Sequence, residues 1–217
     1  MRSYITEFIG TYFLVLTVGA TVLTKTPLAP VAIGAILTVM VYAGGHVSGA
    51  HYNPAVTLAV LIRGRISPAD AVPYWIAQLA GGVLAALTAT YIVNPRSVPT
   101  LSPSGRELGV ALLAEALFTF ALAYVVLNAA TSRDHPGNSF YGLAIGFTVT
   151  AGAFAVGGIS GGAFNPAVAV GAASMGLLAW SKIWVWLLAD LAGGALAGVA
   201  FLALNPKERA PLELSTT

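Results

Sequence analysis

A nine-residue stretch, Ser48-Gly49-Ala50-His51-Tyr52-Asn53-Pro54-Ala55-Val56, returns 112 residues later as Ser160-Gly161-Gly162-Ala163-Phe164-Asn165-Pro166-Ala167-Val168. Each copy dictates the same local structure. Glycine in the approach permits irregular backbone, asparagine is a strong helix N-cap, and proline fits the first helical position because its missing N–H would find no partner there anyway. Asn53-Pro54 and Asn165-Pro166 therefore start helices. The apolar segments that follow, 55–62 and 167–178, offer about half of the ~20 residues that a spanning helix needs. A short apolar helix entered through glycine-rich extended backbone is a re-entrant segment. Its free carbonyls are tolerated at membrane depth only beside protein or a water-filled cavity, so the two copies imply a cavity.

The membrane reading rests on composition as well. The 217 residues are 57% hydrophobic and 8% charged, which is not the make-up of a soluble domain. That length holds about six spans of ~20 residues. A formal charge of +2 arises from few charges in all and gives no reason to expect a nucleic-acid partner. There is no cysteine, hence no disulfide framework or thiolate chemistry. The N-terminal apolar run contains Glu7 and is long enough to span, unlike a cleaved signal.

Along the chain, spans are expected at 4–23, 31–47, 69–93, 107–128, 139–157 and 182–204, with one re-entrant copy after the second and another after the fifth. A Pro- and Ser-rich loop, 95–105, joins internal repeats 1–94 and 106–205 within a single channel domain, and 205–217 is a short polar tail. The halves overlay beyond the motif: Gln78 and the Gly81-Gly82 pair answer Asp190 and Gly193-Gly194 at the same 112-residue offset, and Glu7 answers Glu115. Three crossings per half, an odd number, invert the second repeat relative to the first. Inverted repeats place a site where their broken helices meet, near the bilayer midplane. The fold class expected is an all-α membrane protein of six transmembrane helices plus two re-entrant half-helices. With cytoplasmic termini, Arg2, Arg63, Arg65, Arg133, Lys207 and Arg209 lie inside, and Lys25, Arg96, Arg106 and Lys182 lie outside.

Half-helices entering from opposite faces point two positive dipole ends at one spot and disfavour a cation there. Each Asn can cap through its side-chain oxygen, which leaves the amide N–H2 to donate into the lumen. The preceding residues, Gly49, Ala50 and His51 in one copy and Gly161, Ala163 and Phe164 in the other, turn carbonyls toward the passage. Donors, a row of acceptors and apolar walls suit water and small neutral solutes. Glu7 and Glu115 lie within spans and need partners; N–H groups of the re-entrant backbone are the expected ones. His51 is expected to order its loop. Asp190 is expected to be satisfied locally or protonated.

These residues resemble the aquaporin, or major intrinsic protein, family, marked by two Asn-Pro-Ala half-helices among six spans. The resemblance extends over essentially the whole chain and implies a right-handed bundle, a pore in each protomer of a homotetramer, and a cell-membrane location. It places Asn53, Pro54, Ala55, Asn165, Pro166 and Ala167 at the pore midplane, and an outer selectivity constriction at Ile33, Ala153, Gly162 and Val168. Most members carry Arg where Val168 stands. Valine supplies neither charge nor donor, which implies a wider, apolar filter open to solutes such as glycerol, urea or neutral arsenite. Water-type members resemble this chain in their short loops.

Other classes predict other behaviour. Inverted repeats also build ion- or proton-coupled transporters, but only Glu7, Glu115 and Asp190 are ionisable candidates within the spans, and neither motif copy holds a carboxylate. Enzymatic chemistry lacks a nucleophile–base pair, a metal-ligand cluster or a phosphate loop, so no cofactor or metal is expected. A structural junction protein of the same superfamily would conduct nothing.

Overall fold

The computed structural model describes residues 1–209, so the last eight residues of the expected polar tail lie outside the described residues. The chain runs α1 (Arg2–Leu23), α2 (Ala29–Ser48), α3 (Pro54–Ile62), α4 (Pro68–Val93), α5 (Gly105–Val126), α6 (Tyr141–Ser160), α7 (Pro166–Ser174) and α8 (Ile183–Leu204). All but α3 and α7 are long and apolar enough to cross a membrane, giving six candidate spans. α3 and α7, nine residues each, are the half-helices.

The core is built twice. α1 packs most extensively on α4, and α5 on α8, while α2 and α6 meet across the two halves. Each half-helix leans on the opposite half: α3 on α8, α7 on α4. Glycine makes that exchange sterically feasible. A Cβ on Gly82 would stand 2.8 Å from the Ala167 carbonyl oxygen, and one on Gly194 would collide with that of Ala55. The adjacent glycines serve the contacts inside each half, Gly81 against Phe8 and Gly193 against Ala116. Small residues let backbones approach where apolar lipid gives no hydrophobic drive for helix association.

Three expected boundaries change. The second half-helix was expected to reach 178 but ends at Ser174, because Gly176 takes a left-handed φ of +80° and Leu177 N–H turns back to the Ala172 carbonyl at 2.9 Å. The freed strand end is then used elsewhere: Leu101 N–H donates to Leu177 O at 2.9 Å, and Ala179 N–H to Leu101 O at 3.0 Å. The loop between halves is thus pinned to the second half-helix's exit rather than free. The fourth span, expected to stop at 128, continues as a π-helical turn through Thr131. The sixth span begins as a short 3₁₀ turn, Trp180–Lys182.

Candidate functional site

The two half-helices meet tip to tip at their caps. Asn53 Oδ1 accepts the Ala55 N–H at 2.8 Å, and Asn165 Oδ1 accepts the Ala167 N–H at 2.9 Å. The amide nitrogens cross between halves: Asn53 Nδ2 donates to Phe164 O at 2.9 Å, and Asn165 Nδ2 donates to Tyr52 O at 2.8 Å. This corrects the expectation of a wholly free N–H2 group. One amide hydrogen on each side stitches the loops together, and the group has a second one to donate.

The reach is made possible by backbone that side chains seldom adopt. Tyr52 and Phe164 sit at φ of +50° and +49°, and Ala50 at +51°. Each such residue costs about 1–2 kcal/mol when it is not glycine. A buried carboxylate behind each loop holds the conformation. Glu7 Oε1 accepts the Ser48 hydroxyl at 2.7 Å and His51 N–H at 2.9 Å, and its Oε2 accepts Tyr52 N–H at 2.6 Å and Gln78 Nε2 at 2.8 Å. Glu115 takes the same post in the second half, accepting the Ser160 hydroxyl at 2.6 Å, Ala163 N–H at 3.2 Å and Phe164 N–H at 2.8 Å. Tyr74 Oη and Trp186 Nε1, again 112 residues apart, each donate at 2.8 Å to the carbonyl that ends the preceding span, Ser48 O and Ser160 O. His51 Nδ1 lies 3.1 Å from Thr57 Oγ1, which anchors its ring.

Two cavities flank the caps. One, of about 450 Å³, is lined by Leu14, Ile33, Leu37, Val149 and others together with Asn53 and Asn165; a second, of about 410 Å³, opens at Ser48, Gly49, Arg65 and Thr131. His51 and Val126 line both. Ile33, Ala153, Gly162 and Val168 all face the first cavity, and a Cβ on Gly162 would stand 3.7 Å from Ala153 Cα. Ala50, Gly161 and Ala163 line it as well, and Gly49 lines the second. No Asp, Glu, Lys or Arg is among the residues lining the first cavity.

Several residues expected at the pore midplane line neither cavity. Pro54, Ala55, Pro166 and Ala167 are buried and line neither cavity. The prolines begin the helices and the alanines pack against the glycines of α8 and α4. Of each tripeptide only the asparagine lines the first cavity. Phe164 is 1% exposed and its carbonyl is taken by Asn53, so it is an anchor rather than a free acceptor. Tyr52, which the sequence reading passed over, is its counterpart; the 112-residue offset alone could have found it.

A second omission lies at the far mouth. Arg63, expected only to lie on the cytoplasmic side, caps α3; its side chain is 1% exposed and its Nη2 lies 2.7 Å from Glu208 Oε2. Its Nε donates to Thr131 Oγ1 at 2.6 Å. Arg65 at 3.7 Å and Arg133 at 3.4 Å also face Glu208, and Arg133 N–H donates to Glu208 Oε1 at 2.6 Å. Burial alone would push the Glu208 carboxyl up, but the Arg133 N–H and the Arg63 guanidinium outweigh it and hold the group below its ordinary value. A depressed carboxylate contributes stability that is present above its unfolded pKa and lost as pH falls through the folded one. The 3₁₀ turn Pro206–Arg209 should therefore stay docked at neutral pH and release only as pH falls below the ordinary glutamate range. Hydrogen-exchange protection across 201–209, relative to the intrinsic rate at each pH, should fall on acidification, and Glu208→Gln should show the acid pattern at neutral pH. Equal protection in both proteins would refute the latch.

The comparisons with known proteins decide the family. The model of the family described as "Major intrinsic protein" matches residues 1–201. The chain belongs to the major intrinsic protein family. Among relatives of this major intrinsic protein, "Glycerol uptake facilitator protein-like 6" of Lactiplantibacillus plantarum is 39% identical over 91% of the chain and 95% of its own length. "Aquaporin TIP2-3" of Arabidopsis thaliana is 38% identical over 93% of the chain and 86% of its own length. The solved aquaglyceroporin of Plasmodium falciparum superposes with a TM-score of 0.79 at 20% identity, covering 95% of this chain and 98% of that one, and so establishes a shared fold. This major intrinsic protein is a multi-pass membrane protein.

Proposed function

We infer that this major intrinsic protein is a passive channel for water and small neutral solutes. The carrying observation is the reciprocal bond from each capping asparagine to the opposite loop's carbonyl, which sets two half-helix N-termini face to face between two vestibules. A solute at that point meets the remaining amide hydrogens of Asn53 and Asn165. Carbonyls of Gly49, Ala50, His51, Gly161 and Ala163 serve as acceptors on either side. The converging dipoles oppose cations.

The outer constriction at Ile33, Ala153, Gly162 and Val168 sets the size limit. With no arginine there and no ionised side chain along the first cavity, the wall accepts neutral solutes of the glycerol, urea or neutral arsenite class. The similarity to a protein named for glycerol uptake points the same way. The absence of a carboxylate from that lining argues against proton-coupled transport. The channel assembles as a homotetramer in the cell membrane with its termini in the cytoplasm, and the chemistry is conduction rather than catalysis.

Swelling of vesicles carrying the purified channel tests this with water, glycerol, urea and neutral arsenite. Rapid water flux with measurable flux of at least one larger solute, unaffected by a protonophore, is the expected result. Water flux alone would refute the wide filter. Saturable uptake that collapses with the proton gradient would make the protein a transporter, and no flux at all would make it a junction protein.

A further inference from the structure

Asp190 is completely buried in α8, and only half of its carboxyl group is accounted for. Thr119 Oγ1 donates to Oδ1 at 2.9 Å, while Oδ2 has no partner. The repeat shows what differs: Gln78 Oε1 is likewise without a partner, but the other polar atom of Gln78 is a nitrogen that donates. At the corresponding place in the first half, Gln78 Nε2 donates both to Glu7 Oε2 at 2.8 Å and to Thr57 Oγ1 at 3.0 Å. In the second half the counterpart of Thr57 is Ala169 and that of His51 is Ala163, so methyl groups replace a hydroxyl and an imidazole. Glu115 receives the Ser160 hydroxyl and two loop N–H groups, but no amide arrives where Gln78 would supply one.

Glu115 takes on α5 the place that Glu7 takes on α1 against Gln78, and α5 packs closely on α8, which makes Glu115 the ionisable side chain beside Asp190. α3 and α7, which pack on the same helix, hold no ionisable residue, and the other charges of α5, Arg106 and Glu107, lie in its first turn. Two carboxylates in contact at ~4 Å would repel by several kcal/mol even at an effective dielectric near 20. One proton between them turns that repulsion into a charge-assisted hydrogen bond.

We propose that Asp190 is a proton-binding site: at neutral pH its Oδ2 carries a proton and donates it to Glu115, doing for the second loop what the Gln78 amide does for the first. Asp190 is a positioning residue. Its proton keeps Glu115 ionised and oriented to hold the N–H groups of Ala163 and Phe164, which aims the Phe164 carbonyl at Asn53. Removal of the proton sets like charges together behind that loop and loosens the cap-to-cap contact. The assignment stands whatever solute the channel conducts.

Infrared spectra of the reconstituted channel at neutral pH, in H2O and D2O, test it with Asp190→Asn and Asp190→Ala. The wild type should show the carbonyl stretch of a protonated carboxylic acid, shifted in D2O and lost in both variants. A solvated aspartate is ionised at neutral pH, so unfolding releases the proton. The wild-type folding constant should therefore fall by about tenfold per pH unit across the neutral range relative to D190N. D190N, with a permanent donor, should keep wild-type permeability, whereas D190A should lose stability and flux. Absence of the band from the wild type, or a D190N protein as impaired and as pH-dependent as D190A, would overturn the proposal. Should neither variant assemble, the wild-type band decides once aspartate alone is labelled with 13C: a band that shifts with the label supports the proposal, and one that does not overturns it.

Discussion

Replacing Glu7 with leucine is expected to abolish conduction and to prevent assembly of a stable channel. The carboxylate accepts two backbone N–H groups, the Ser48 hydroxyl and the Gln78 amide, all buried. Leucine removes every acceptor while the donors stay behind. A buried donor left unpaired costs about 1–3 kcal/mol, so the two backbone groups alone cost roughly 2–6. That is comparable with the whole 5–15 kcal/mol that keeps a typical domain folded. Nothing else in the loop compensates, because Ala50 and Tyr52 already hold left-handed backbone. Glu7→Gln keeps one acceptor oxygen but turns an N–H2 toward donors, so an intermediate loss is expected. Detergent thermal stability and vesicle swelling measure both variants. A Glu7→Leu channel with wild-type water flux would show that the loop is held by other means.

The second large effect is one of selectivity. Val168→Arg should cut flux of glycerol-sized solutes by about tenfold or more, equivalent to ~1.4 kcal/mol added to the barrier, while reducing water flux much less. Val168 lines the same cavity as Ile33, Ala153 and Gly162, three apolar side chains and a glycine. A guanidinium there fills space beside Gly162 and adds a cation and fixed donors. Water can still pass in single file by exchanging hydrogen bonds with those donors, whereas a triol or urea must fit its width. The new charge finds no carboxylate in the cavity wall, so the variant should be less stable than the wild type as well as narrower. Equal reduction of all solutes would locate the size limit elsewhere, most simply at the paired asparagines.

Legibility in the sequence followed the range of the interaction. The helix starts at Asn53 and Asn165 were readable because a cap involves residues within three positions. The need of Glu7 and Glu115 for partners was readable because charge within an apolar span is costly wherever it sits. The end of α7 was misread by four residues, since the apolar run continues through Leu177 and Leu178 and only the turn at Gly176 stops it. The free hydrogens of the asparagines were overcounted for a different reason. Their acceptors lie 111 and 113 residues away, on carbonyls of aromatic residues that nothing local marks as special. The burial of Arg63 was not legible because its partner, Glu208, is 145 positions distant.

The sequence by itself determined that this chain spans a membrane six times, that it is doubled, and that two short helices begin at Asn-Pro within it. Each of these follows from composition, hydropathy and near-neighbour hydrogen bonding. The tertiary structure alone decided which atoms of the doubled motif face the lumen, and it turned prolines and alanines inward while joining each asparagine to the opposite loop. It also made the halves unequal behind the pore, where Gln78 donates to Thr57, whose counterpart is Ala169, and Asp190 accepts from Thr119. The physical reason is that a buried polar group is defined by what packs around it, and packing brings together residues that the chain keeps more than a hundred positions apart.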